Sequence, residues 1–112
     1  MSNEIWEIEY YEHSNDKQPF SQRLKKLGDT TTRTKIVKGI NRMKLDNFGD
    51  SRSVGNGVSE LRLDYGSGYR VYYTRIDKAT ILILYVGDKS TQPDDIEEAK
   101  RYLSQYKKDR RG

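Results

Sequence analysis

The chain has no cysteine, so neither a disulfide framework nor a thiolate metal site is open to it. Its single histidine, His13, excludes a histidine-rich metal site built from this chain alone. Only 33% of the residues are apolar, a low share for a globular domain, and no hydrophobic run approaches membrane-spanning length. The opening stretch MSNEIWEIEYY has no basic start followed by an apolar segment, so it does not read as a secretory signal. These absences lead us to expect a soluble cytoplasmic protein with no membrane partner, no metal and no cofactor.

What is present suits a small, highly charged domain. A length of 112 residues fits one domain, and two halves of that size would each bury too little to be stable. Nine tyrosines offset the thin apolar content, since each buries a large ring and keeps a polar tip. The net charge of +4 favours an anionic partner such as nucleic acid or an acidic protein.

Periodicity divides the chain into recognisable elements. Ile5 to His13 reads as a strand. Asn15 or Asp16 caps a helix running to about Leu27, with Pro19 in its first turn and Gly28 as its stop. Asp29 caps a second helix from Thr30 to about Phe48, with Ile36, Val37, Ile40, Met43 and Phe48 as its apolar stripe. One turn separates the two helices, which predicts an antiparallel helical hairpin. SRSV (Ser51 to Val54) reads as a short strand and Gly55 to Gly57 as a turn. Val58–Tyr65, Tyr69–Ile76 and Thr80–Val86 read as three strands joined by short hairpin loops. TILILYV has apolar residues on both faces, as a doubly covered central strand would. The segment from Thr91 reads as a helix with a Thr91/Asp94 capping box and one face formed by Ile96, Ala99, Leu103 and Tyr106. The expected architecture is α+β: one domain over residues 1–107, with a basic tail at 108–112 that frays.

The segment ELRLDYGSGYRVYYTR, Glu60 to Arg75, carries the first functional signal. If GSG is a three-residue loop, Tyr65 faces Tyr69 and Asp64 lies opposite Arg70. Alternation then puts Leu61, Leu63, Tyr65, Tyr69, Val71 and Tyr73 on a core face and Arg62, Asp64, Arg70 and Tyr72 on the other. A solvated face with an Asp64–Arg70 ion pair would give that pattern for roughly 0.2–1 kcal/mol. Two guanidiniums and a tyrosine on one rigid face would also hold a phosphate through forked hydrogen bonds. A second signal is VGDKSTQ, Val86 to Gln92, where a strand runs into a helix: Lys89 reaches a phosphate there, while Asp88, Ser90 and Thr91 also suit plain capping.

Read together, LRLDYGSGYRVYY (Leu61 to Tyr73), ILYVGDKSTQPDDIEEAKRYL (Ile83 to Leu103) and the basic helical hairpin turning near LGD (Leu27 to Asp29) resemble the RelE/ParE superfamily of small bacterial toxins. The nearest branch is the HigB-like addiction-module killer proteins, and the resemblance covers most of the chain. It implies a curved antiparallel sheet packed on an N-terminal helical hairpin, with a C-terminal helix. It implies a type II toxin that, on the ribosome and without metal, cleaves mRNA by attack of a ribose 2′-OH on the adjacent phosphate. The implied partners are the ribosome and mRNA, a cognate helix-turn-helix antitoxin and, through that antitoxin, operator DNA. Arg70 matches the arginine that binds the scissile phosphate, Lys89 a basic residue after the last strand, and Arg62 a basic residue on the preceding strand. Asp95 stands where such toxins often carry a tyrosine or histidine, so the general base is left open between Tyr72 and Asp88. Two other outcomes fit the same resemblance: a ParE-like poison of DNA gyrase, and an inactive toxin kept as a co-repressor.

Overall fold

The computed structural model describes residues 5–111; the first four residues of the segment read as non-secretory, and Gly112 of the tail, lie outside the described residues. Strand β1 (Glu7–Tyr10) is followed by helices α1 (Pro19–Leu24) and α2 (Thr30–Lys44), strands β2 (Asp50–Gly55), β3 (Val58–Leu63), β4 (Tyr69–Arg75) and β5 (Thr80–Gly87), a 3-10 turn (Lys89–Thr91), and helix α3 (Gln92–Arg111). The fold is α+β, with one five-stranded sheet in the order β1-β5-β4-β3-β2.

The sheet is mixed, not antiparallel as expected. β1 runs parallel to β5, with Glu7 paired to Thr80 and Tyr10 to Ile83. A parallel pair needs a long crossover, and here everything from α1 to β4 supplies it. Because β1 flanks it, β5 is not an edge, and nearly all of its residues are buried, as its two-sided apolar pattern requires.

The two faces of the sheet carry separate cores. Phe20, Ile36, Ile40 and Met43 of α1 and α2 pack with Leu61, Val71, Tyr73, Ile81 and Ile83 on one face. Ala99, Tyr102 and Leu103 of α3 pack with Val58, Tyr72, Leu82 and Leu84 on the other. A bulge in the β4–β5 ladder pairs Tyr72 with Tyr85 but Tyr73 with Ile83, leaving Leu84 unopposed. Leu84 and Tyr85 therefore both join the α3 side, and Val86 returns to the first core.

The helix ends differ from the expected ones for local reasons. Asp16 takes a left-handed conformation, φ 65°, inside a turn closed by its N–H donating to the His13 carbonyl at 2.9 Å. It caps no helix, and α1 starts at Pro19, whose fixed φ suits the first helical position. α2 is capped as read: the Asp29 carboxylate accepts from the Thr32 N–H at 3.0 Å, which holds its carboxyl below the usual range. It ends at Lys44 with Asp46 at φ 72°, so Phe48 leaves the helix and stacks on Tyr73. Val37, expected in the stripe, is exposed. α3 stays helical through Arg111.

Asn56 and Gly57, both at positive φ, form the two-residue turn between Gly55 and Val58, the conformation that favours Asn-Gly in hairpins. Gly87 is required for a different reason. A Cβ there would lie 1.8 Å from Asp95 Oδ2, because the first turn of α3 presses directly on the end of β5. Gly87→Ala is expected to lower the unfolding midpoint by the equivalent of about 1–3 kcal/mol, the usual cost of overpacking; thermal unfolding checks it.

Candidate functional site

The loop between β3 and β4 is longer than GSG. Leu63 pairs with Tyr69, Arg62 with Arg70, Leu61 with Val71 and Glu60 with Tyr72. The register is displaced from the expected one by an even number of residues, so each side chain keeps its face. The arginine face survives, but its partners change. Arg62 stands directly opposite Arg70, and Asp64 falls in the loop, so the expected Asp64–Arg70 ion pair does not form.

Two arginines opposed across a ladder repel unless anions neutralise them. Glu60 supplies one anion. It is 0% exposed, and its Oε1 lies 3.5 Å from Arg70 Nε and 3.4 Å from Arg52 Nε. Its Oε2 accepts from Gln92 Nε2 at 2.8 Å, which ties the start of α3 to the sheet. Arg70 is 7% exposed in its side chain, and its Nη1 donates to the Gly68 carbonyl at 2.8 Å. Arg62, 46% exposed, lies 3.9 Å from the outer carboxylate of Asp50. The sequence reading missed Glu60 because one strand gives no sign of which polar residue the far helix will cover.

Arg62, Arg70 and Lys89 line one open cleft of about 570 Å³, together with Gly66, Ser67 and Gly68 of the hairpin loop. The Lys89 N–H donates to the Ser67 carbonyl at 3.4 Å, which binds the turn after β5 to the hairpin loop. A Cβ on Gly68 would sit 3.4 Å from Arg70 Nη1 and 3.5 Å from Lys89 Cβ. Those are ordinary contacts, so it is the backbone conformation, φ +79°, and not space that calls for glycine here. Asp50 and Asp64 also line the cleft.

The two remaining candidates fall elsewhere. Tyr72 is fully buried in the α3-side core and cannot stack on a nucleic-acid base. It stays on the arginine side of the sheet, but α3 covers that end of the face. Its hydroxyl has no hydrogen-bond partner, and burial, then the Glu60 and Asp95 charges, push its ionisation far up. A phenol so held is no general base. Tyr72→Phe is expected to hold or raise stability by about 1 kcal/mol, since an unpaired buried hydroxyl only costs; a denaturation assay checks it.

Asp88 caps the 3-10 turn. Its Oδ1 accepts from Ser90 N–H at 2.9 Å and Ser90 Oγ at 2.6 Å. The Ser90 hydroxyl bond chiefly lowers its ionisation, which weakens it as a base.

Asp95 is buried. It meets Arg23 Nη1 at 3.3 Å and accepts from Thr91 Oγ1 at 2.5 Å. Thr91 therefore binds Asp95 instead of the Asp94 expected of a capping box. Burial raises the Asp95 carboxyl, while Thr91 and Arg23 oppose the rise. Arg23 completes the network by donating to Tyr85 Oη at 2.5 Å and Thr91 Oγ1 at 3.1 Å. Like Glu60, Arg23 gave no sequence signal, since its partners lie more than sixty positions away.

Among the described residues no cluster of three or more His, Cys, Asp or Glu could hold a metal ion, and no helix is long and apolar enough to cross a membrane. No family model matches the chain. It is 44% identical over 81 residues to an uncharacterized protein of Haemophilus influenzae, a match spanning 72% of this chain and 82% of that one.

Proposed function

The chain belongs to one family with that Haemophilus influenzae protein, and from its cationic cleft we propose that it is a RelE/HigB-like toxin that cleaves mRNA on the ribosome. The observation that carries this reading is the convergence of Arg62, Arg70 and Lys89 on one cleft beside a glycine loop. A concave site with several fixed cations suits a phosphodiester, and rigid strands hold forked donors in place. The chain between residues 23 and 44 adds eight Lys or Arg against one Asp, which favours a polyanionic partner.

In the proposed reaction Arg70 and Arg62 bind the non-bridging oxygens of the scissile phosphate. The ribose 2′-oxygen attacks phosphorus, the bond to the 5′-oxygen breaks, and a 2′,3′-cyclic phosphate remains. Asp64, exposed at the cleft rim, takes the proton from the 2′-hydroxyl. Lys89 gives a proton to the departing 5′-oxygen, so the two transfers balance. Positioning and charge stabilisation supply most of the rate. Asp64 thus replaces Tyr72 and Asp88 as the base. Asp64→Asn is expected to lower single-turnover cleavage about 10²-fold, within the range for acid–base catalysis, with RNA affinity held; equal losses in both would remove it from that role. A helix-turn-helix antitoxin neutralises the toxin by covering the cationic cleft.

The test is transcript-wide mapping of mRNA 5′ ends after brief expression of the natural chain and of Arg70→Ala. New ends at fixed positions within translated codons, missing in the variant, support the nuclease. Growth arrest with intact mRNA and DNA-damage signalling would replace it with the gyrase-poison reading, and tight antitoxin binding without growth arrest with the co-repressor reading.

A further inference from the structure

A second concavity lies away from the arginine cleft, where α1 meets β5 and α3. It has a volume of about 170 Å³, room for five or six waters, and is lined by His13, Gln22, Arg23, Lys26, Tyr85 and Tyr102 over Pro19. No carboxylate lines it. Among the described residues the side chains of Gln22 and Lys26 make no hydrogen bond or ion pair, and neither ring nitrogen of His13 is hydrogen-bonded. The His13 ring is instead held edge-on against Tyr11 and Tyr102, with centroids 5.4 Å away in each case.

Several of the lining groups are held in place by neighbouring contacts. Arg23 Nη1 donates to Tyr85 Oη, so the tyrosine's own hydrogen is free to donate. Asp95 fixes the Arg23 guanidinium from behind. Lys26 follows Arg23 on the same side of the chain, its N–H closing a turn onto the Arg23 carbonyl at 2.9 Å. The hollow therefore presents an ammonium, an amide N–H, a phenol O–H and an imidazole, with nothing anionic among them. A small anion with several acceptor oxygens satisfies such a set, and phosphate has the size and valence. Arg23 also donates to Thr91, the last residue of the 3-10 turn that starts at Lys89, so one side chain of this hollow is tied to the turn that carries a cation of the cleft.

We infer that the hollow formed by His13, Gln22, Lys26 and Tyr85 is a second phosphate-binding site. Resting on the ribonuclease reading, its ligand is a phosphate of the same RNA strand as it leaves the cleft past Lys89. A free phosphate carries the same chemistry, and the test separates the two.

His13 is the chain's sole histidine, so its ring gives one resolved NMR signal. The full-length chain is titrated with an uncleavable 2′-O-methyl single-stranded RNA and, separately, with inorganic phosphate. The expected result is that both ligands move the His13 signal. Lys26→Ala should weaken both responses about tenfold, the loss of one charge-assisted contact. Gln22→Ala, an exposed change on α1, gives a smaller loss and serves if Lys26→Ala is poorly folded. A shift with inorganic phosphate but none with RNA, at His13 or in the cleft, keeps the site and overturns the ribonuclease reading. RNA perturbing the cleft while neither ligand moves His13 overturns the second site alone. Responses unchanged in both variants overturn it as well.

Discussion

On the ribonuclease reading, Arg70→Ala is expected to lower RNA cleavage by about 10²–10³-fold, the range seen when one preorganised charge contact to a transition state is removed. Arg70 is positioned from three sides. β4 fixes its backbone opposite Arg62 and Gly87, the Gly68 carbonyl takes one Nη1 hydrogen, and Glu60 stands behind its Nε. Its remaining donors are thus aimed without reorganisation. Arg70→Lys should recover little of the rate, because a single ammonium cannot serve Gly68, Glu60 and a phosphate together. The fold should survive either change, since Glu60 keeps Gln92 and Arg52. Cleavage of a ribosome-bound message, read beside circular dichroism and antitoxin binding, checks this. Full activity in a folded Arg70→Ala protein would remove Arg70 from the site.

Glu60→Ala is expected to cause the largest loss of stability among single changes near the cleft, about 3–5 kcal/mol, the cost of leaving one partner of a buried ion pair uncompensated. The carboxylate is the common anion for β4 and β2, through ion pairs with Arg70 and Arg52, and it accepts from Gln92 at the start of α3. Its loss leaves the 7%-exposed Arg70 guanidinium with the Gly68 carbonyl as its one hydrogen-bond partner among the described residues. Against a total of roughly 5–15 kcal/mol for a domain of this kind, that threatens the fold itself. Glu60→Gln keeps one acceptor oxygen but not the charge, so it should recover only the hydrogen-bond part of the loss, about 1 kcal/mol. Urea denaturation of the two variants separates charge from packing. A Glu60→Ala cost below about 1 kcal/mol would mean that water reaches Arg70 and that Glu60 does not hold it.

Much of the architecture follows from local rules that need no tertiary information. Asp29 caps α2 because its short carboxylate reaches an N–H three residues on. Asn-Gly turns β2 into β3 because both residues accept positive φ. Ile96, Ala99, Leu103 and Tyr106 face one core because helical spacing puts them on one side of α3. The separation of Arg62 and Arg70 from Leu61 and Val71 was equally local, since it depends on alternation alone and survived a register change of even length.

What the tertiary structure decided involves partners distant in sequence. The parallel pairing of β1 with β5 turned an expected antiparallel sheet into a mixed one. The five-residue loop set Arg62 opposite Arg70, and distant residues meet that loop: Lys35 lies over the Tyr65 ring, and the Lys89 N–H donates to the Ser67 carbonyl. α3 decided the fate of Tyr72, Glu60 and Asp95. By covering one end of the arginine face it buried a phenol and a carboxylate that alternation by itself would place beside solvent, and it buried its own Asp95 against Gly87 and Arg23. Charge and period along a strand determine which face a residue takes; only the packing of another element determines whether that face is a site or a core, because burial is a property of what comes to lie on top.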